Sequence, residues 1–151
     1  IDELKKRNVT NFILYILGGG SKKQKRKIEE EISKYNTPEL VLLGETDNPY
    51  PYISKADLMV VTSISEACPY VINEAKILHI PIVTTDFGSV YEFIEDGVNG
   101  LISPIETISK KIESMILDKE LYSRIKTNIS TFEYDNNLII DKLFNEILEL
   151  R

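Results

Sequence analysis

The sequence predicts an α/β fold, a doubly wound parallel sheet flanked by helices, and three observations carry that prediction. Phe12 to Leu17 and Leu58 to Val61 are unbroken apolar runs, with a shorter one at Ile82-Val83. Strands covered on both faces read as continuous runs of this kind rather than as alternation. Helix-period segments separate the runs, as where Ile28, Ile32 and Tyr35 fall on one stripe. Beyond the last run the period becomes helical throughout, with Ile105, Ile108, Ile112 and Ile116 in one segment and Ile139, Leu143, Ile147 and Leu150 in the final one. Strands alternating with helices, then trailing helices, give this architecture.

Taken in order, Ile1 to Arg7 is a short charged, helix-like segment and Asn8 to Asn11 a loop. The first strand, Phe12 to Leu17, is stopped by Gly18-Gly19-Gly20. Ser21 with Gln24 three residues on forms a capping-box signal for the next helix, which opens with Lys22, Lys23, Lys25, Arg26 and Lys27 and ends at Thr37-Pro38. Glu39 to Leu43 reads as a second strand closed by Gly44. Asn48 to Pro51 is turn-forming, and Tyr52 to Lys55 is expected as one helical turn. Tyr50 and Tyr52 are read as packing residues, with base stacking near Gly44 as the alternative. Leu58 to Thr62 is the third strand and Ile82 to Thr85 the fourth, followed by a loop at Asp86-Phe87-Gly88-Ser89 and a short helix, Val90 to Ile94. Asp96-Gly97 and Asn99-Gly100 are turn dipeptides, because Gly and Asn tolerate positive φ. Leu101-Ile102 reads as a brief edge strand, and Lys119 to Ile129 as the helix between the two isoleucine-rich ones.

The totals exclude several classes. A chain of 151 residues with 42% apolar content supports one core, so residues 1–151 are expected as one domain. No apolar run reaches the roughly eighteen residues of a membrane span, and no secretory signal pattern is present. With net charge −6 the chain lacks the basic footprint of a nucleic-acid binder. A single cysteine, Cys68, cannot form an internal disulfide, which fits a reducing, cytoplasmic setting. Any Ser-His-Asp triad would have to use the one histidine, His79, at a predicted helix end. No Cys/His cluster has ligand spacing, so no metal is expected. The cluster Lys22 to Lys27 reads as a solvated helix face, with contact to the anionic inner face of a membrane as the alternative.

The stretch Ser63 to Pro81 joins the third and fourth strands, and in an open α/β sheet ligands bind outside the carboxyl ends of the strands. It places Glu66 before a helix and Glu74 within it, with Pro69 suited to the helix start because its missing N–H has no intrahelical partner there. Ser63-x-x-Glu66 equally describes a capping box that merely begins a helical turn, and a lone Glu74 equally describes a solvated helix residue.

Three blocks make the pattern specific: Ser63-x-x-Glu66-Ala67-Cys68-Pro69-x-x-x-x-Glu74-Ala75, then His79-x-Pro81-Ile82-Val83-Thr84-Thr85-Asp86-x-Gly88-Ser89, then Glu92 through Leu101 as E-F-I-E-D-G-V-N-G-L. In this order they resemble the C-terminal, donor-binding domain of retaining glycosyltransferases of the GT-B fold, the group called glycosyl transferases group 1. That family carries two glutamates separated by seven residues in a stretch like E-G-F/C-P. Leu14 to Gly20, Val41 to Gly44 and Ala56 to Ser63 also resemble its successive strands and loops, so the likeness covers nearly the whole chain.

The resemblance implies a Rossmann-like half of a two-domain enzyme that moves a sugar, of hexosyl type, from a nucleotide diphosphate donor such as a UDP- or GDP-sugar to a glycan or lipid-linked acceptor with retention. Such enzymes serve bacterial polysaccharide and cell-envelope synthesis. Glu66 would be the catalytic carboxylate, contacting hydroxyls of the donor sugar, and Glu74 would hold the ribose hydroxyls. The backbone of Ala67, Cys68, Pro69, Tyr70 and Val71 would bind sugar and diphosphate, and Gly44 would lie near the base. No cofactor and no metal would be needed.

Three positions depart from the family pattern: Ala67 stands for a usual Gly, His79 for the Gly that ends the helix, and Ser89 for a second Gly. The family's domain also opens with a strand and a loop whose Arg and Lys grip the diphosphate, and Ile1-Asp2-Glu3-Leu4 resembles the helix after that loop. The expectation is a fragment lacking its first strand and its acceptor domain, inactive alone, with a gap in the middle of the strand order; a fold that begins differently is the alternative. An epimerase or glycan phosphorylase half on the same fold, or a non-catalytic nucleotide-sugar-binding module, are the alternatives.

Overall fold

The computed structural model describes residues 1–35, 38–66, 69–133 and 135. Its elements follow the predicted alternation: α1 (Asp2–Lys6), β1 (Leu14–Leu17), α2 (Lys22–Tyr35), β2 (Leu40–Gly44), α3 (Tyr50–Ile53), β3 (Met59–Val61), α4 (Tyr70–Ile77), β4 (Ile82–Thr85), a 3-10 turn at Val90–Glu92, β5 (Leu101–Ser103), α5 (Ile108–Leu117) and α6 (Lys119–Ser130). Every strand pairing among the described residues is parallel, as helical crossovers require.

The strands form two sheets, β1–β2 and β3–β4–β5. In the common doubly wound order 3-2-1-4-5-6, the runs β2–β1 and β3–β4–β5 match the two flanks, and no described strand takes the central place. The register in the larger sheet sets Val60 beside Val83 and Val83 beside Leu101. Side chains along a strand alternate between faces, so each buried strand feeds two cores. Ile82 and Ile102 point into one cluster with Ile72 and Ala75 of α4, whereas Val83 and Leu101 point into another with Ile108 and Met115 of α5. Helix α6 serves both, through Ile129 and Ile125. It starts where Asp118 accepts hydrogen bonds from the N–H groups of Glu120 and Leu121, satisfying donors that have no intrahelical acceptor.

Four expectations need correction. A first strand covered on both faces is not what forms: β1 is confined to Leu14–Leu17, and Tyr15 is 55% exposed, because no described cluster packs over β1. The turn expected at Tyr52 to Lys55 starts earlier, at Tyr50, where prolines fit the first helical turn. Val90 to Ile94 is a 3-10 turn over Val90–Glu92 rather than a helix. Ile105 stays outside α5 and exposed. The final helix, with Ile139, Leu143, Ile147 and Leu150, lies outside the described residues.

Turn chemistry behaves as the sequence predicts. Gly97 takes φ +78, and the Asp96 carboxylate accepts the Ile102 N–H at 2.8 Å. The capping box at α2 closes in both directions: Gln24 N–H donates to the Ser21 hydroxyl and Ser21 N–H to the Gln24 side chain.

Candidate functional site

The parallel strands deliver their following loops to one end of each sheet: Gly44 stands at that end of the first sheet, and Glu66 and the start of α4 follow β3 at that end of the second. Glu66 lies in the loop from β3 to α4 and is exposed. Its carboxylate accepts a hydrogen bond from the Ser63 hydroxyl at 3.0 Å. The same loop is fixed from below, because the buried Thr85 hydroxyl at the end of β4 donates to the Val61 and Ser63 carbonyls. It is fixed from the side by Ser89, whose hydroxyl donates to the Glu66 carbonyl at 2.7 Å. No helix starts at Ser63, so the Ser63-x-x-Glu66 pattern is not a capping box here.

Helix α4 begins at Tyr70, with Pro69 one position before the first helical residue rather than in it. Pro69 is fully buried, Val71 packs against the core cluster, and the Tyr70 side chain is 74% exposed. No described side chain caps this helix start, which leaves N–H groups of its first turn without intrahelical acceptors. Ala67 and Cys68 lie outside the described residues. Glu74, in the second turn of α4, is half-buried and accepts a hydrogen bond from the Tyr50 hydroxyl at 3.3 Å. Neither Glu66 nor Glu74 is joined to a lysine or arginine among the ion pairs of the described residues. Gly44 ends β2 at φ +79, a value that favours glycine, and from it the chain runs through an exposed loop to Tyr50.

The other end of α4 is clamped. Lys76 is buried, its ammonium donating to the Phe93 carbonyl at 3.0 Å and lying 4.2 Å from the Phe132 ring centroid. Burial holds its pKa below the ordinary lysine value. His79 takes φ 55, the left-handed conformation expected of a residue standing for glycine, and its Nδ1 lies 3.0 Å from the Ile129 carbonyl. Lys126 donates to the His79 carbonyl at 2.7 Å. These contacts tie the carboxyl end of α4 to α6, so the helix that carries Glu74 cannot swing freely.

Sequence reading missed Tyr50 as a neighbour of Glu74, and it missed the roles of Ser63, Thr85 and Ser89 in holding Glu66. Two of these carried a signal: Ser63 in the Ser63-x-x-Glu66 pattern and Ser89 as a departure from glycine.

The profile of the family described as glycosyl transferases group 1 matches residues 1–132. The chain belongs to that family. Among its relatives, an uncharacterized glycosyltransferase of Methanocaldococcus jannaschii is 33% identical over 104 residues, covering 68% of this chain and 23% of its own. The O-antigen biosynthesis glycosyltransferase WbnH of Escherichia coli is 32% identical over 113 residues, covering 74% of this chain and 31% of its own. A TarM variant of Staphylococcus aureus, solved with Fondaparinux, alpha-GlcNAc-glycerol and UDP, superposes with TM-score 0.69 at 30% identity, covering 94% of this chain and 30% of that one. HepE of Anabaena, solved with UDP-glucose, superposes with TM-score 0.73 at 22% identity, covering 92% and 41%; at that identity the likeness is one of fold. The chain thus spans about a quarter to a third of the length of these curated relatives.

Proposed function

We propose that the chain is the donor-binding half of a glycosyltransferase that moves a sugar from a nucleotide diphosphate to a hydroxyl of a glycan or lipid-linked acceptor. The observation that carries this reading is the pair Glu66 and Glu74, on either side of the uncapped start of α4 and in no ion pair among the described residues. An ionised carboxylate accepts both O–H bonds of a ribose diol more strongly than a neutral acceptor would, which suits Glu74. A helix start directed at the diphosphate stabilises the charge that develops as the bond between the anomeric carbon and the phosphate oxygen breaks. Glu66, exposed in the loop before α4, meets the sugar hydroxyls in this reading.

Transfer is of hexosyl type with retention, and the diphosphate grip and the acceptor site come from parts of the protein outside these residues. A strand from the same source fills the central place in the strand order, and the 151 residues alone do not turn over. The enzyme works in the cytoplasm, with Lys22 to Lys27 as a solvated helix face and peripheral contact with the inner face of the membrane as the alternative.

Melting in the presence of UDP, GDP and ADP tests the reading. A nucleotide at a hundredfold excess over its Kd adds about 2.7 kcal/mol, or about 5–10 °C for a chain of this size. Glu74→Ala is expected to lose most of that rise, and an unchanged rise in this variant removes the ribose role.

A further inference from the structure

We infer that Tyr50 is a positioning residue for ribose recognition, its hydroxyl holding the Glu74 carboxylate in the orientation that receives the sugar diol of a ribonucleotide. This rests on the donor-site reading above and adds a residue to it.

The side chain is mounted for such a task. Asn48 accepts the Tyr50 N–H through its side chain at 3.2 Å, and the Thr46 hydroxyl engages both the N–H and the carbonyl of Asn48. Pro49 and Pro51 flank Tyr50 and fix φ on each side. The short helix that starts at Tyr50 is anchored by Ile53, which is buried in the larger core cluster. On this rigid base the ring remains 49% exposed, so the tyrosine is not there to fill the core. Its hydroxyl crosses from α3 to α4 and meets Oε1 of Glu74 at 3.3 Å.

A glutamate on a helix has three rotatable side-chain bonds, and ordering it when a ligand arrives opposes binding. A fixed phenol that donates to one oxygen removes part of that cost before binding. It occupies one lone pair of Oε1 and leaves Oε2 and the remaining lone pairs for the two ribose hydroxyls. The arrangement also makes the sugar itself a point of discrimination, because a deoxy sugar leaves the positioned carboxylate without its donors.

The test is a binding cycle by calorimetry on the protein, with UDP and 2′,3′-dideoxy-UDP as probes for the wild type, Tyr50→Phe, Glu74→Ala and the double variant. Tyr50→Phe keeps the ring and deletes only the hydroxyl. It is expected to weaken UDP binding about threefold to tenfold, the net size of one ordinary hydrogen bond. Binding of the dideoxy nucleotide is expected to stay unchanged, and Tyr50→Phe is expected to add nothing in the Glu74→Ala background. Equal weakening of both nucleotides, or additivity with Glu74→Ala, overturns the inference, since the hydroxyl would then act other than through the carboxylate. Normal UDP binding by Tyr50→Phe beside lost binding by Glu74→Ala overturns the Tyr50 role and leaves the donor site standing. Absence of binding by the wild type to UDP, and to GDP and ADP used in the same way, overturns both.

Discussion

The two sheets are built from similar sequence and end in different states. In β3–β4–β5 the strands β4 and β5 are buried at every position, and both faces feed hydrophobic clusters. In β1–β2 no position is fully buried, and Ile13 and Tyr15 stand largely in solvent. Both core clusters draw their buried members from Ile53 onward, and before it only Leu4 and Val9 are buried apolar residues among those described. Apolar composition is therefore not what separates the regions. The second sheet has α4 on one face and α5 on the other, whereas β1 keeps one edge without a described partner.

Truncation probes that contrast most sharply. Ile72→Ala, in a fully buried side chain of α4, is expected to destabilise by about 2–5 kcal/mol. Leu42→Ala in β2 is expected to cost about 1 kcal/mol, because a half-buried side chain loses less contact with apolar surroundings. Urea midpoints of the two variants decide it; similar losses would mean that the first sheet is as well covered as the second. Helix caps give a smaller version of the same comparison. Asp118→Ala removes the acceptor for two N–H groups at the start of α6 and is expected to cost about 1 kcal/mol. Ser21→Ala at α2, a helix with no described side chain in either cluster, is expected to cost less than Asp118→Ala in the same denaturation series.

The finest effect concerns Lys76. Burial lowers its folded pKa below the ordinary value of 10.5, so the unfolded chain holds that proton more tightly. Stability then rises with pH between the folded and unfolded values, as the native state is relieved of a buried charge. Lys76→Met is expected to lack this rise. Denaturation midpoints followed through the alkaline range would refute the sign if the wild type, relative to the variant, weakened there.

The strands of the second sheet were legible because burial on both faces writes itself as an uninterrupted apolar run. The cover of β1 was not, since an identical run records what a strand prefers to touch and says nothing of whether a neighbour is there. Two serine patterns make the same point at the scale of one turn. Ser21 with Gln24 and Ser63 with Glu66 share the capping-box spacing, yet only the first starts a helix. Pro69 explains the difference: in a helix begun at Ser63 it would fall in the interior, where it lacks an N–H and collides with the preceding turn. That much was readable. Glu66 and Glu74 were found from local pattern, whereas the bond from Tyr50 to Glu74 joins residues far apart in sequence, and only the approach of α3 to α4 creates it.

Polypeptides leave the ribosome amino end first, so within these 151 residues β1, α2 and β2 are made before any described side chain of the two buried clusters. Between the synthesis of β2 and that of residues beyond Ile53 the aliphatic side chains of this half lack the partners that bury the other, an interval in which chaperones engage.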